Sequence, residues 1–300
     1  APQSEKPCLL SLETCLLSKA LILPSIQSPL GALPARFRRP RVLIVGCGDV
    51  GLRVAGLLKA SSRLMALTSS SQRVETLQRS GITPMLGDLD KPQTLRRLAG
   101  VATHVVHMAP PPLEGHTDPR TRALVLALRL RSLPSSMVYG STTGVYGNCE
   151  GEWIDETRRL QPQTARAQRR VNAQDWVNFL GKSGYPRTQV LRIPGIYAMD
   201  REGGTPRERL LRGTPVLQAH EDVYTNHIHA DDLARATVLA LWRGRPLRAM
   251  NVCDNTDMKM GDYVDSVAKM WNLQAPARIS REQAQLQLSP MVMSFLNESR

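Results

Sequence analysis

The stretch Gly46-Cys47-Gly48-Asp49-Val50-Gly51, set directly behind the apolar run Val42-Leu43-Ile44-Val45, constrains this chain more than any other. A short, continuous apolar run bounded by glycine reads as a parallel strand buried on both faces. Behind it Leu52, Val54, Ala55, Leu57 and Leu58 recur at helical spacing, which completes a strand, tight turn and helix. Glycine at 46 lets the chain turn sharply, glycine at 48 lets backbone approach a pyrophosphate, and glycine at 51 lets the helix pack close to the strand. The first N–H groups of that helix have no partner within it and are available to phosphate oxygens. Two readings follow: a dinucleotide cradle built by residues 46–51, or a plain strand and helix joined by a glycine-rich turn. The flanking pattern favours the cradle.

Composition narrows the rest. A chain of 300 residues with 42% hydrophobic content can bury one sizeable core, with or without a smaller lobe, and is not a disordered chain. The formal net charge of +13 raises nucleic acid as a partner. The excess is scattered arginine, aromatic content is 4%, and no RRM, KH or zinc-finger spacing occurs, so the charge reads as a solvated surface and an attraction for anionic small molecules. Five widely spaced cysteines without a CxxC pair argue for a reducing, cytoplasmic setting rather than a disulfide framework. No apolar stretch approaches the roughly 18 residues a spanning helix needs, so a soluble protein with no membrane partner is expected. Residues 8–23 are Leu-rich but interrupted by Glu13 and Lys19, and they precede the basic residues Arg36, Arg38 and Arg39, the reverse of a signal peptide. Residues 1–40 are therefore read as a poorly ordered extension, with an amphipathic arm as the alternative.

From Arg41 onward apolar runs alternate with helical patterns. Strands are expected at 42–45, 64–68, 83–86, 104–108, 136–140 and 188–193, and helices at about 49–60, 72–80, 92–99, 120–131 and 163–182. Strands separated by such helices need right-handed crossovers and a parallel sheet. The expected fold class is α/β, a doubly wound Rossmann sheet over residues 41–194. Beyond Pro194 the alternation weakens, and residues 195–300 are assigned to a small α/β substrate lobe with returning elements, closing over the carboxyl ends of the strands.

An acid about 20 residues after the glycines would take the ribose hydroxyls of NAD. Here the second strand ends Leu67-Thr68-Ser69-Ser70-Ser71-Gln72-Arg73 instead. Thr68, Ser69 and Arg73 offer hydroxyls and a guanidinium where a 2′-phosphate would sit, so NADP is preferred over NAD. The serines can equally cap the next helix.

Five further blocks, in order, resemble the extended and, more closely, the atypical short-chain dehydrogenase/reductase superfamily, which includes sugar-nucleotide epimerases and dehydratases. They are Gly87-Asp88-Leu89, Val106-His107-Met108-Ala109-Pro110-Pro111, Gly140-Ser141-Thr142-Thr143-Gly144-Val145-Tyr146-Gly147, Leu191-Arg192-Ile193-Pro194-Gly195-Ile196-Tyr197 and Asn226-His227-Ile228-His229-Ala230-Asp231-Asp232-Leu233-Ala234. The likeness spans 41 to about 297. It implies Asp88 and Leu89 beside the adenine, and Met108, Ala109, Pro110 and Pro194 along the cofactor. It also implies a small-molecule substrate of the nucleotide-sugar kind near Thr143, a hydride-transfer activity and a homodimer. Relatives continue beyond the equivalent of Ser299-Arg300, so a truncated C-terminus is expected.

The resemblance also exposes a departure. Members that oxidise or reduce a carbonyl carry YxxxK on the helix after the Ser/Thr strand. That motif falls on Arg166 and Arg170, and a guanidinium neither accepts nor releases a proton at working pH. Thr142 takes the family's Ser/Thr position and can orient a carbonyl oxygen. Arg170 can hold the ribose or a phosphate. Tyr146 and Tyr197 are the candidate substitute acids, with packing or substrate contact as the alternative for Tyr146. His227 and His229 share a face of an extended segment without a clear third metal ligand, so no metal is expected. Arg207, Arg209 and Arg212 can clamp a diphosphate or form the polar face of a surface helix.

Overall fold

The computed structural model describes residues 39–299, apart from 184, 185 and 202; the extension read over residues 1–40 lies almost wholly outside the described residues. Among the described residues seven strands form one parallel sheet: β1 (Arg41–Val45), β2 (Arg63–Thr68), β3 (Thr83–Leu86), β4 (His104–His107), β5 (Ser136–Thr142), β6 (Arg187–Ile193) and, last in the chain, β10 (Arg248–Asn251). Their order across the sheet is β3-β2-β1-β4-β5-β6-β10. Val42 pairs with Leu64 on one side and His104 on the other, so β1 lies inside the sheet.

The period of two along β1 sorts its side chains into two cores. Val42 and Ile44 join Val54, Ala55 and Leu58 of helix α1 (Asp49–Leu58), together with Leu233, Ala234 and Leu241 of α6 (Ala230–Arg243). Leu43 and Val45 join Leu124 and Leu128 of α3 (Pro119–Leu128), with Val177 and Leu180 of α4 (Ala165–Lys182). Between them α2 (Arg73–Arg79) follows β2. Helices on both faces of a parallel sheet make the doubly wound Rossmann architecture expected from the alternation.

One expectation changes in detail. Residues 92–98 form a 3-10 segment rather than an α-helix, and Leu95 and Leu98, three apart, are both fully buried. Side chains at i and i+3 eclipse in a three-residue turn, so this spacing suits the tighter helix. The strand near Met250 and the helix before it are the returning elements: α6 packs on α1, and β10 pairs parallel with β6 from Arg248 opposite Gln189 to Asn251 opposite Arg192. The remaining elements stand outside the sheet. β7 (Gly195–Tyr197) pairs with β9 (His227–His229), and β8 (Val216–Leu217) pairs with β11 (Arg278–Ile279). With them go helices α5 (Arg207–Leu211), α7 (Met260–Met270), α8 (Arg281–Gln287) and α9 (Pro290–Leu296). No helix among the described residues is long and apolar enough to cross a membrane.

Candidate functional site

The three glycines of the first turn do three different things. Gly46 has φ of +85°, and a Cβ there would stand 2.2 Å from the Ala109 backbone nitrogen, so only glycine fits. A Cβ on Gly51 would lie 2.9 Å from the Gly46 carbonyl oxygen and 3.3 Å from Ile44, which is the close approach of helix to strand. A Cβ on Gly48 would meet nothing within 4 Å. Gly48 therefore opens onto space that the protein leaves free, directly before the first residue of α1.

That space is part of a cleft of about 250 Å³ lined by Gly46, Gly48, Asp49, Val50 and Gly51, by Met108 after β4, and by Thr142, Arg166, Arg170 and Pro194. Ten of the sequence-selected residues thus come together at the carboxyl ends of the strands, where open α/β sheets bind ligands. Cys47 is buried under the turn, its thiol pushed up by burial, and its carbonyl oxygen accepts from Arg73 Nη2 at 2.5 Å. The guanidinium of Arg73 is thereby held against the glycine turn, and among the described residues it pairs with no carboxylate. Thr68 is buried at the end of β2, and Ser69 is exposed beside it. Ser70 N donates to Thr68 Oγ1 at 3.2 Å, so these hydroxyls partly order their own loop. Asp88 and Leu89 follow β3, where Asp88 Oδ1 accepts from Asp90 N at 3.0 Å and Leu89 packs against the second core. Ala109 is buried behind Gly46, and Pro110 is exposed. None of Thr68, Ser69, Asp88, Leu89 and Pro110 lines the cleft itself.

The other end of the cleft opens into a cavity of about 440 Å³. Thr142, Arg166, Pro194 and Arg201 line both, and Thr143, Tyr197, Arg209 and His227 line the cavity alone. The Thr142 hydroxyl oxygen accepts from Gly144 N at 3.3 Å, capping the 3-10 turn Thr143–Tyr146. Its proton has no acceptor among the described residues. Arg170 Nη1 donates to the Gly140 carbonyl at 2.7 Å and to the Tyr139 hydroxyl at 3.1 Å, which ties the guanidinium to β5. Arg166 makes no hydrogen bond to a described residue and lies 5.6 Å above the Phe295 ring. Desolvation in the cleft, with Arg170 and Arg169 nearby, pulls its pKa below the ordinary guanidinium range. Arg166 is therefore a cation that an anionic ligand would relieve.

Neither tyrosine is set up as a proton donor. Tyr146 is buried; its hydroxyl donates to Asn251 Oδ1 at 2.7 Å and accepts from Arg192 Nη1 at 2.6 Å. Burial raises its pKa, and it lines a separate cavity of about 230 Å³ with Thr143 and Cys253 rather than the cleft. Tyr197 is pushed up to about 12 by burial and by Asp254, which makes it a weaker acid than a free phenol. His227 is buried, stacked 3.9 Å from the Tyr263 ring, and lowered to about 4 by burial, so it is neutral at pH 7. His229 Nδ1 accepts from Asp231 N and caps α6. No three His, Cys, Asp or Glu among the described residues gather as metal ligands. Of the three arginines around α5 only Arg209 lines the cavity, because Arg207 lies over the Trp271 ring at 4.9 Å and Arg212 turns back on the Glu208 carbonyl at 3.3 Å.

Two residues of this site escape sequence reasoning. Arg201 lies in a Gly- and Arg-rich loop without periodicity, so its place beside the glycine turn has no local signal. Arg192 did carry one: a charge inside an apolar strand must find partners, and it finds Tyr146, the Glu156 carbonyl and Gln174.

Comparison with known proteins agrees with this geometry. Residues 42–114 match the TrkA-N domain. No curated protein is significantly similar in sequence. A functionally unknown conserved protein from Silicibacter pomeroyi shares 25% identity and a TM-score of 0.71 over 87% of each chain. A nucleoside-diphosphate-sugar epimerase from Pseudomonas aeruginosa shares 15% identity and a TM-score of 0.70, covering 87% of this chain and 88% of its own. UDP-glucose 4-epimerase from Thermus thermophilus, solved in complex with NAD, shares 22% identity and a TM-score of 0.65, covering 79% of this chain and 85% of its own. The matched domain and these folds bear out the resemblance to the atypical and extended short-chain dehydrogenase/reductase superfamily.

Proposed function

We propose that this chain binds a nicotinamide dinucleotide over the first crossover, with the diphosphate above Gly48, and an anionic small molecule in the adjoining cavity. The observation that carries this reading is the contrast among the glycines: two have no room for a side chain, and the third faces space the protein does not use. NADP is the preferred form. Arg73 is held at the turn without a carboxylate partner among the described residues, and bidentate guanidinium donors suit a 2′-phosphate.

A nicotinamide dinucleotide held by Gly46, Gly48, Gly51 and Arg170 would supply hydride chemistry for a carbonyl or alcohol carbon beside Thr142. Thr142 donates a hydrogen bond that orients the substrate oxygen. Arg166 and Arg209 hold the substrate's negative charge, which fits a nucleotide sugar; the Thermus protein similar in fold is a UDP-glucose 4-epimerase. No residue of the cleft takes the place of the family's tyrosine, since Arg166 cannot exchange a proton and the Tyr146 proton is engaged by Asn251. That loss favours a second reading, in which the dinucleotide is a structural or regulatory ligand without turnover.

Titration of the protein with NADPH and NADH, followed by cofactor fluorescence, tests the proposal. NADPH binds more tightly than NADH, and Gly48→Val abolishes binding while its circular dichroism stays that of the wild type. Equal NADPH affinity in the Gly48→Val variant overturns the site, and tighter NADH overturns the choice of NADP. NADPH binding without absorbance change across a panel of nucleotide-sugar and carbonyl substrates selects the non-catalytic reading.

A further inference from the structure

Two adjacent residues of the loop after β7, Asp200 and Arg201, reach the helix that starts at the glycine turn. Asp200 Oδ1 lies 2.7 Å from Arg53 Nη2, and Arg201 Nε lies 3.8 Å from Asp49 Oδ2. Asp49 and Arg53 are themselves paired one turn apart on α1, at 3.1 Å, and Arg53 also takes Asp231 at the start of α6. Four charges in a reciprocal arrangement thus pin the loop to the N-terminus of α1. The pairing is unequal. Arg53 makes hydrogen bonds to all three of its carboxylates, whereas the Arg201–Asp49 contact is too long to be one. Asp49 Oδ2 and Arg201 Nη1 are each buried atoms with no hydrogen-bond partner among the described residues. A desolvated charged donor and acceptor left unpaired are costly, and both flank the free space above Gly48.

We infer that Arg201 is a dinucleotide-binding residue whose guanidinium exchanges Asp49 for the diphosphate, so that the loop bearing it closes as a strap over the glycine turn. This rests on the dinucleotide reading above. The chemistry follows from charge. A diphosphate placed before α1 meets the helix N–H groups, which favour it, and the Asp49 carboxylate, which opposes it. Arg201 supplies the cation that reverses the balance, and the diphosphate supplies the acceptors that Arg201 lacks. Arg53 keeps Asp49 and Asp200 in place during the exchange, because it holds both.

Isothermal titration of the full chain with NADPH, combined with hydrogen exchange over residues 198–206, separates the outcomes. Arg201→Gln weakens NADPH binding about tenfold, the loss of one charge-assisted contact. Asp49→Asn tightens it several-fold, and Arg201→Lys recovers part of the loss. In the wild type NADPH slows exchange in 198–206, and in Arg201→Gln it does not. Wild-type affinity and wild-type protection in Arg201→Gln overturn the strap and leave the dinucleotide site standing. A wild-type chain that binds no NADPH at all overturns the site itself, and the strap with it.

Discussion

The two ends of the cleft are made of different material. At the dinucleotide end the recognition surface is backbone: a glycine at φ +85°, a helix N-terminus and free space above Gly48. At the other end, proposed to hold the substrate, it is side chains, and there Arg166 and Arg170 stand where the resemblance would place a tyrosine and a lysine. Arg170 is accommodated by the Gly140 carbonyl and the Tyr139 hydroxyl, while its Nε has no hydrogen-bond partner among the described residues and Arg166 is desolvated beside it. A backbone site is tied to the packing of β1, α1 and the β4 loop and cannot change without disturbing them. A side-chain site can lose its proton chemistry by two substitutions while the cleft persists.

The largest test of this contrast is acidification. His107 below the dinucleotide end is lowered to about 3, and His104 and His227 to about 4, in each case chiefly by burial. Each is neutral in the folded protein and takes up a proton on unfolding, so their contribution to stability is flat above pH about 6.5 and falls as pH drops towards 4. The limiting slope, reached below about pH 5.5, is about 1.4 kcal/mol per pH unit for each histidine, roughly 4 for the three, and it is shallower nearer pH 7. Urea unfolding between pH 7 and 5 measures it. His227→Gln should remove about a third of the slope, and an unchanged slope contradicts its burial as a neutral ring at the proposed substrate end.

Next comes Gly46→Ala, which forces a Cβ against the Ala109 backbone in a left-handed conformation and should cost about 3 kcal/mol in urea unfolding. Gly48→Val should stay within about 0.5 kcal/mol of the wild type in the same assay, since its side chain enters open space. Equal effects of the two substitutions break the division of roles between these glycines. Tyr146→Phe removes one of the three acceptors of buried Arg192 and should cost about 1 to 2 kcal/mol, with NADPH affinity unchanged. A large loss of affinity with unchanged stability moves Tyr146 from packing to function. Smallest of all, Arg166→Ala should alter NADPH affinity by less than about twofold, because its guanidinium, which lines both the cleft and the cavity, is assigned to the charge of the substrate.

The same division decides what a reader of the sequence can see. The glycine turn and the first six strands are legible because their signals are local: spacing in the turn, apolar runs bounded by breakers. β10 is harder, because Arg248-Ala249-Met250-Asn251 is an edge strand, only partly buried and half polar, recognisable by its partner β6. The 3-10 segment at 92–98 differs from an α-helix in its i→i+3 hydrogen bonding, which the spacing of Leu95 and Leu98, shared by both helix types, does not reveal. At the site, Thr142, Arg166 and Arg170 are found by position along the chain. Arg201 is not, since its relation to Asp49 joins distant parts of the sequence and depends on the course of an irregular loop. The choice of Arg209 over Arg207 and Arg212 likewise turns on which face of a single short helix meets the cavity.

A crystal structure of the full chain grown with NADPH addresses the central claim without relying on any variant. The account predicts density for the diphosphate over Gly48, the 2′-phosphate within reach of Arg73 and the nicotinamide end beside Thr142. Density for the nucleotide elsewhere on the surface, or a cleft that stays empty at saturating NADPH, would contradict it.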